Sequence, residues 1–232
     1  EEELFETLFR APPAPNYAAR VPGEARAYLE GLCEIGRKIT FIVQEKPLGF
    51  GHAIHCAREW SEGEPVLVLL GDHLYVSAGE SSASRQLVDA YAEHRCPVVG
   101  LCEAPSAEIG HYGTFVGKWT DEDRKVLAVS DVAEKPTEDH GRHHLRMDSL
   151  PEGRYLCAHG QYVIDETVFG CLDQLVVSGV ENVELTAALQ AARHHGVLLG
   201  LSVVGERYDA GRPETYLASL VAYARGGING QG

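Results

Sequence analysis

The feature that most constrains this chain is the run Pro65-Val66-Leu67-Val68-Leu69-Leu70, apolar at every position and ending in Gly71-Asp72-His73. A strand with one wet face alternates in polarity, so unbroken apolar character argues a strand covered on both faces. Strands of that kind belong to sheets with helices packed on each side. The neighbouring sequence agrees: residues 97–102 form another apolar run, and a helical pattern over residues 84–94 connects the two. This β-α-β arrangement predicts an α/β fold built on a mixed, mainly parallel sheet.

Further elements follow from the same reasoning. Helices are predicted over residues 4–9, stopped by Pro12, Pro13 and Pro15, and over residues 24–35, 52–60, 166–175 and 184–194. Pro213 opens a last helix in the first turn, where its missing N–H costs nothing. Strands are predicted over residues 39–43, 156–164 and 197–204, with an antiparallel pair at 113–118 and 126–132 joined by the charged turn 121–125. Residues 137–153 are polar and carry no predicted element, so His140, His143 and His144 are expected in a solvated loop. No repeat or linker interrupts the pattern, and a single domain over residues 1–232 is expected.

Size and composition narrow the function classes. With 232 residues, 44% of them hydrophobic, the chain can bury a core without disulfide or metal staples. The 20 Lys and Arg against 34 Asp and Glu give a net charge of -14, which repels a phosphate backbone and argues against nucleic acid as a partner. No apolar run approaches the roughly 18 residues of a membrane span, and Glu1-Glu2-Glu3 does not begin a signal peptide. A cytoplasmic protein with no membrane partner is expected. The six cysteines lack C-x-x-C spacing and mostly sit in apolar stretches, as buried thiols in a reducing compartment do. The histidines offer no zinc set, because neither His52 with His55 nor the later cluster has third and fourth ligands at a defined spacing. The only methionine is Met147, so a further segment is expected to precede Glu1.

Open α/β sheets bind ligands at the carboxyl ends of their strands. Asp72 ends the most apolar strand and Asp209 ends another, so two carboxylates from remote positions can meet there. Paired hard oxygens suit Mg²⁺, which bridges substrate phosphates; taken singly, each acid reads as readily as a cap of the next turn. Lys135, fixed beside Pro136, can neutralise a phosphate as a point charge. Gly49 and Gly51 allow the backbone to approach a flat ligand, and Gln44 can read a base edge with amide donor and acceptor.

The segments Gln44-Glu45-Lys46-Pro47-Leu48-Gly49-Phe50-Gly51-His52-Ala53, Leu69-Leu70-Gly71-Asp72, Tyr112-Gly113, Glu134-Lys135-Pro136, Gly160-Gln161-Tyr162, Glu184-Leu185-Thr186 and Arg207-Tyr208-Asp209-Ala210-Gly211 occur in a telling order. In order and approximate spacing the chain resembles bacterial UTP–glucose-1-phosphate uridylyltransferases, over essentially its whole length. The resemblance implies a Rossmann-like sheet of the nucleotidyltransferase type, with attack of a sugar 1-phosphate on the α-phosphorus of UTP and release of pyrophosphate. It implies Gln44 and Gly49 at the uracil, Asp72 at the nucleotide, Asp72 and Asp209 holding Mg²⁺, and Lys135 at the sugar phosphate. Gly113, Glu134 and Gly160 would line the hexose. It also implies a homo-oligomer as the full-length state. Such transfers need positioning and charge neutralisation rather than a nucleophilic side chain.

Departures from the family pattern are equally specific. Its N-terminal strand and G-x-G-T-R loop are absent from the sequence, so the domain is expected to be incomplete at its N-terminus. One such electrostatic contact is worth about 3 kcal/mol in a transition state, and the chain alone is expected to turn over poorly. His73 stands where a second acid is common, Gln161 where arginine is usual, Asn182 for a glutamate and Ala187 for an aspartate. Another reading of the same residues is a non-catalytic sugar-nucleotide-binding or regulatory homologue, and a different base or hexose also fits Gln44 and Gly49.

Overall fold

The computed structural model describes residues 9–10, 20, 22–211 and 213–229. The chain divides into two compact units, residues 1–45 and 46–232. In the first unit, helix α1 (Gly23–Gly36) buries Cys33 and Gly36. Arg10 donates from Nε to Gly36 O at 3.2 Å, and its guanidinium lies 5.0 Å from the Phe41 ring centroid. Residues 39–43 form no strand in either sheet. Their β-branched composition suits a pleated surface, but the ladder is supplied by a neighbouring strand and not by propensity. The expected helix over residues 4–9 falls almost wholly outside the described residues.

The second unit begins with short helices α2 (Phe50–Cys56) and α3 (Arg58–Ser61). Strands β1 (Val66–Leu69) and β2 (His73–Ser77) follow, then helix α4 (Ala83–His94) and strand β3 (Val98–Pro105). A 3-10 helix (Ser106–His111) leads to β4 (Thr114–Trp119) and β5 (Val126–Ala133). The rest is α5 (Glu138–His144), β6 (Arg154–Ile164), α6 (Glu166–Val177), α7 (Leu185–Ala192), β7 (Leu199–Ser202), β8 (Gly205–Asp209) and α8 (Pro213–Asn229).

Six strands form a mixed sheet in the order β1-β6-β3-β7-β5-β4, with β6 also touching β4. The α/β architecture is as expected, whereas the share of parallel contacts is smaller. Strands β1, β3, β4 and β7 run one way, but β6 and β5 run the other and are interleaved among them. Only β3 with β7 is therefore a parallel pair among the described residues. The expectation of a β1 buried on both faces also fails, since Val66, Leu67 and Val68 are only partly buried and Leu69 is half exposed.

Helices cover both faces of this sheet. Val168, Phe169 and Leu172 of α6 and Leu185, Ala188 and Leu189 of α7 pack with Phe115, Leu156 and Ile164 on one face. Leu87 and Ala90 of α4 pack with Val98, Val163 and Leu199 on the other. Each fully buried Leu or Phe contributes about 2 kcal/mol of apolar burial, which fixes the sheet as a frame. Residues 138–144, expected as a solvated loop, form α5. The Thr137 hydroxyl accepts from His140 N–H at 3.2 Å, acids occupy the first turn, and Arg142, His143 and His144 the last. End effects and the seating of Gly141 hold this helix, without an apolar stripe. No described helix is long and apolar enough to cross a membrane.

Candidate active site

The chain leaves β1 through Leu70 and Gly71, and His73 N–H donates back to Leu70 O at 3.3 Å. It then enters β2, which was not predicted and which pairs with β8 in a separate two-stranded ribbon. The register of that ribbon sets His73 opposite Asp209 and Leu74 opposite Tyr208. Directly opposed residues share a face with Cβ atoms about 5 Å apart. Asp72, one residue earlier, joins them: one donor atom each from Asp72, His73 and Asp209 lie within 4.8 Å of one another. Ala210 N–H donates to Asp72 O at 2.8 Å, and Gly211 N–H to Asp209 Oδ1 at 2.9 Å. Two carboxylates and an imidazole at this separation fit a divalent cation.

A cavity of about 250 Å³ opens beside the acids, lined by Asp72, Gly113, Glu134, Lys135, Gly160 and Arg207 among others. Five of these are residues singled out from the sequence; Arg207 lay inside a quoted motif but was given no role. Asp209 lines a second depression, which shares His111, Tyr112 and Arg207 with the first. Gly49 caps α2, and the loop is tied to the segment before α7 by Gly51 N–H donating to Val183 O at 2.8 Å and Val183 N–H to Leu48 O at 2.7 Å. Gln44 belongs to the first unit.

Local geometry explains why the cavity has this shape. The β3–β6 register shifts between Val99 and Leu101, opposite Gly160, whose φ is +88°. This bulge bends β6, and a side chain at residue 160 would collide with the His73 ring and the Tyr75 hydroxyl. Lys135 is held at φ +43°, a conformation that costs a non-glycine residue about 1 kcal/mol or more. Its N–H donates to Tyr112 O at 3.2 Å, and Nζ stands 3.6 Å from Glu134 Oε1. Thr186 Oγ1 donates to Glu134 Oε2 at 2.9 Å, which orients that carboxylate. Arg207 donates from Nη1 to Ala158 O at 2.6 Å and stacks on Tyr112 at 4.1 Å from the ring centroid.

Burial disfavours the charged form of two imidazoles, His73 in the cavity wall and His159 nearby. Burial lowers the His73 pKa, as does Arg207, against the opposing pull of Asp72 and Asp209. His159, 1% exposed, is pushed down to about 4 by burial, then by Arg207 and His73. Neither of its ring nitrogens has a hydrogen-bond partner among the described residues, and neither has Gln161 Oε1. Thr186, like Arg207, lay inside a quoted motif without a role, and Tyr75 and His159 were not singled out from sequence. Only the periodicity of residues 73–77 could have signalled a strand there, and nothing local reveals its partner.

A family profile described as nucleotidyl transferase matches residues 20–225. The chain belongs to the nucleotidyl transferase family. Within that family it is 28% identical over 192 residues to the UTP–glucose-1-phosphate uridylyltransferase of Pseudomonas aeruginosa, covering 82% of this chain and 64% of that protein. It is 29% identical over 186 residues to an enzyme of the same name from Bacillus subtilis, covering 80% of this chain and 59% of that one. The nucleotidyl transferase chain thus spans about three-fifths of the length of the curated relatives it matches. A crystal structure of UDP-glucose pyrophosphorylase complexed with UDP-glucose shares its fold, with a TM-score of 0.75 at 23% identity over 97% of this chain and 78% of that one.

Proposed function

We propose that the cavity carries uridylyl transfer from UTP to a sugar 1-phosphate, glucose 1-phosphate in the first instance, giving a UDP-sugar and pyrophosphate. The observation that carries the reading is the convergence of Asp72 and Asp209 through the β2–β8 register, beside a cavity lined by Glu134, Lys135 and Arg207. The names of the relatives above support the same chemistry.

In this reading a phosphate oxygen of the sugar 1-phosphate forms a bond to the α-phosphorus as the bond from that phosphorus to the bridging oxygen breaks. The electron pair of that bond leaves with pyrophosphate. Lys135 places a positive charge on the incoming phosphate, and its fixed backbone lowers the entropy of doing so. Arg207, held by Tyr112 and Ala158 O, adds a second positive charge. Glu134 accepts from sugar hydroxyls with Oε1, while Thr186 occupies Oε2. Gly113 and Gly160 line the cavity where a hexose would sit and let the Thr186 and His73 side chains pack closely against the backbone. Asp72 and Asp209 would hold Mg²⁺, which would supply charge neutralisation to the phosphates when bound. The uracil-reading roles of Gln44 and Gly49 rest on the resemblance of their motif.

The test is pyrophosphate release from UTP and glucose 1-phosphate with Mg²⁺ by these residues joined to a G-x-G-T-R region of the family. Asp209→Ala is expected to lower it by about two orders of magnitude or more. Near-normal turnover in that variant would refute the paired-acid assignment. UDP-glucose binding with no release even when a G-x-G-T-R region of the family precedes these residues would identify a non-catalytic homologue instead.

A further inference from the structure

The β2–β8 ribbon places an imidazole beside the two acids. We propose that His73 is a third protein ligand of the divalent ion at Asp72 and Asp209, and that its nitrogen moves the preference of the site from Mg²⁺ towards Mn²⁺ and Co²⁺. The inference rests on the reading above, in which those acids hold the ion.

Three observations carry it. First, the register is direct: His73 and Asp209 are opposed residues of one ladder, and their donor atoms and that of Asp72 all lie within 4.8 Å of one another. Around an ion with bonds of about 2.1 Å, adjacent ligands stand about 3.0 Å apart and opposite ones about 4.2 Å, so side-chain rotations that close the gaps by an ångström or two bring all three onto one centre. Second, His73 is a held residue and not a surface histidine. Its side chain is 6% exposed, and its ring lies where only a glycine at residue 160 leaves room.

Third, the two ring nitrogens are already divided between two tasks. Tyr75 Oη donates its proton to Gly160 O at 2.9 Å. With that proton committed, the phenol oxygen, 3.4 Å from His73 Nδ1, accepts from Nδ1–H. The tautomer so selected leaves Nε2 with its lone pair. Nε2 makes no hydrogen bond among the described residues, and Asp72 Oδ1 lies 4.0 Å away, too far for one. An imidazole anchored through one nitrogen and bare at the other, beside carboxylates, is how metal-binding histidines are oriented. The ion preference follows from the donor. Mg²⁺ favours oxygen and surrenders its water reluctantly, whereas imidazole nitrogen binds Mn²⁺ and, more strongly, Co²⁺.

The experiment uses protein stripped of metal with EDTA. Mn²⁺ binding is followed by the electron paramagnetic resonance of the free ion, Mg²⁺ by competition, and Co²⁺ by visible absorption. Pulsed resonance of bound Mn²⁺ is expected to show coupling to an imidazole nitrogen. His73→Ala removes that coupling and weakens Mn²⁺ by at least about tenfold, with little change for Mg²⁺. His73→Asp, which restores an oxygen donor, narrows the Mn²⁺ to Mg²⁺ ratio. Circular dichroism reports folding; should His73→Ala unfold, the nitrogen coupling in the unsubstituted protein and the His73→Asp ratio decide. Absence of that coupling, an unchanged ratio in His73→Asp, or no Mn²⁺ binding at millimolar ion overturns the proposal. Asp209→Asn separates the two readings. If it abolishes binding while the His73 variants keep the ratio, only the role of His73 falls; if it changes nothing, the acid pair itself is misassigned.

Discussion

Acid should weaken this protein through one buried ring, His159. The folded-state pKa is about 4 against an ordinary 6.5, with burial as the leading cause. A folded pKa below the unfolded one means that the unfolded chain takes up the proton first as pH falls. The contribution of His159 to stability is therefore complete above pH 6.5, declines between 6.5 and 4, and is level below 4. Linkage sets the loss at about 2 kcal/mol by pH 5 and about 3 kcal/mol in the acid limit. His55 and His73 shift in the same direction, so the quantity to measure is a difference between two proteins. Urea unfolding of the unsubstituted protein and of His159→Leu, at about pH 7.5 and again at about pH 5, supplies it. At the higher pH the variant should be no less stable, because leucine replaces two buried nitrogens that lack partners. On moving to the lower pH the unsubstituted protein should lose about 2 kcal/mol more than the variant. Parallel losses, agreeing to about 0.5 kcal/mol, would refute the assignment of a neutral, proton-excluding ring.

Thr186→Val deletes the hydroxyl that fixes Glu134 and, at the 1.5–3 kcal/mol typical of a hydrogen bond to a charge, should raise KM for glucose 1-phosphate roughly tenfold or more; an unchanged KM would dissociate Glu134 from the sugar. Lys135→Gly relieves a left-handed backbone, so its urea midpoint should hold or rise while glucose 1-phosphate binding weakens at least about tenfold; a clear fall in midpoint would argue against that strain. Gly160→Ala forces a side chain onto His73 and should cost about 1–3 kcal/mol of stability together with the ion affinity of the ribbon, which unfolding and Mn²⁺ titration would both read.

Strongly apolar segments were legible because one local signal sufficed. Residues 66–69, 98–105 and 154–164 became strands, and residues 166–177 and 185–192 became helices, largely as their patterns required. Strand direction was not legible, since the same apolar run serves a parallel or an antiparallel neighbour; β6 sits reversed between β1 and β3 with nothing local to announce it. Helix α5 was missed because capping and end charges hold it without an apolar stripe. At the site, Asp72, Gly113, Glu134, Lys135 and Gly160 could be nominated from strand ends and motif resemblance, and they line one cavity. His73 could not be given a ligand role, because metal-binding histidines are sought at short sequence spacings, whereas its partner is Asp209, met only across a ladder.

That ladder has a thermodynamic consequence. Strands β2 and β8 pair only with one another among the described residues, and Asp209 O is further held by Ser219 Oγ of α8 at 2.9 Å. A two-stranded ribbon is marginal on its own; this one forms because the sheet delivers β2 three residues after β1 and β8 two residues after β7. An ion shared by Asp72 and Asp209 would act as a reversible cross-link between the two strands and would stabilise the ribbon by its own binding free energy. Amide-exchange protection of β2 and β8 would then rise with metal concentration, and that of α8, joined to the ribbon through Ser219, with it.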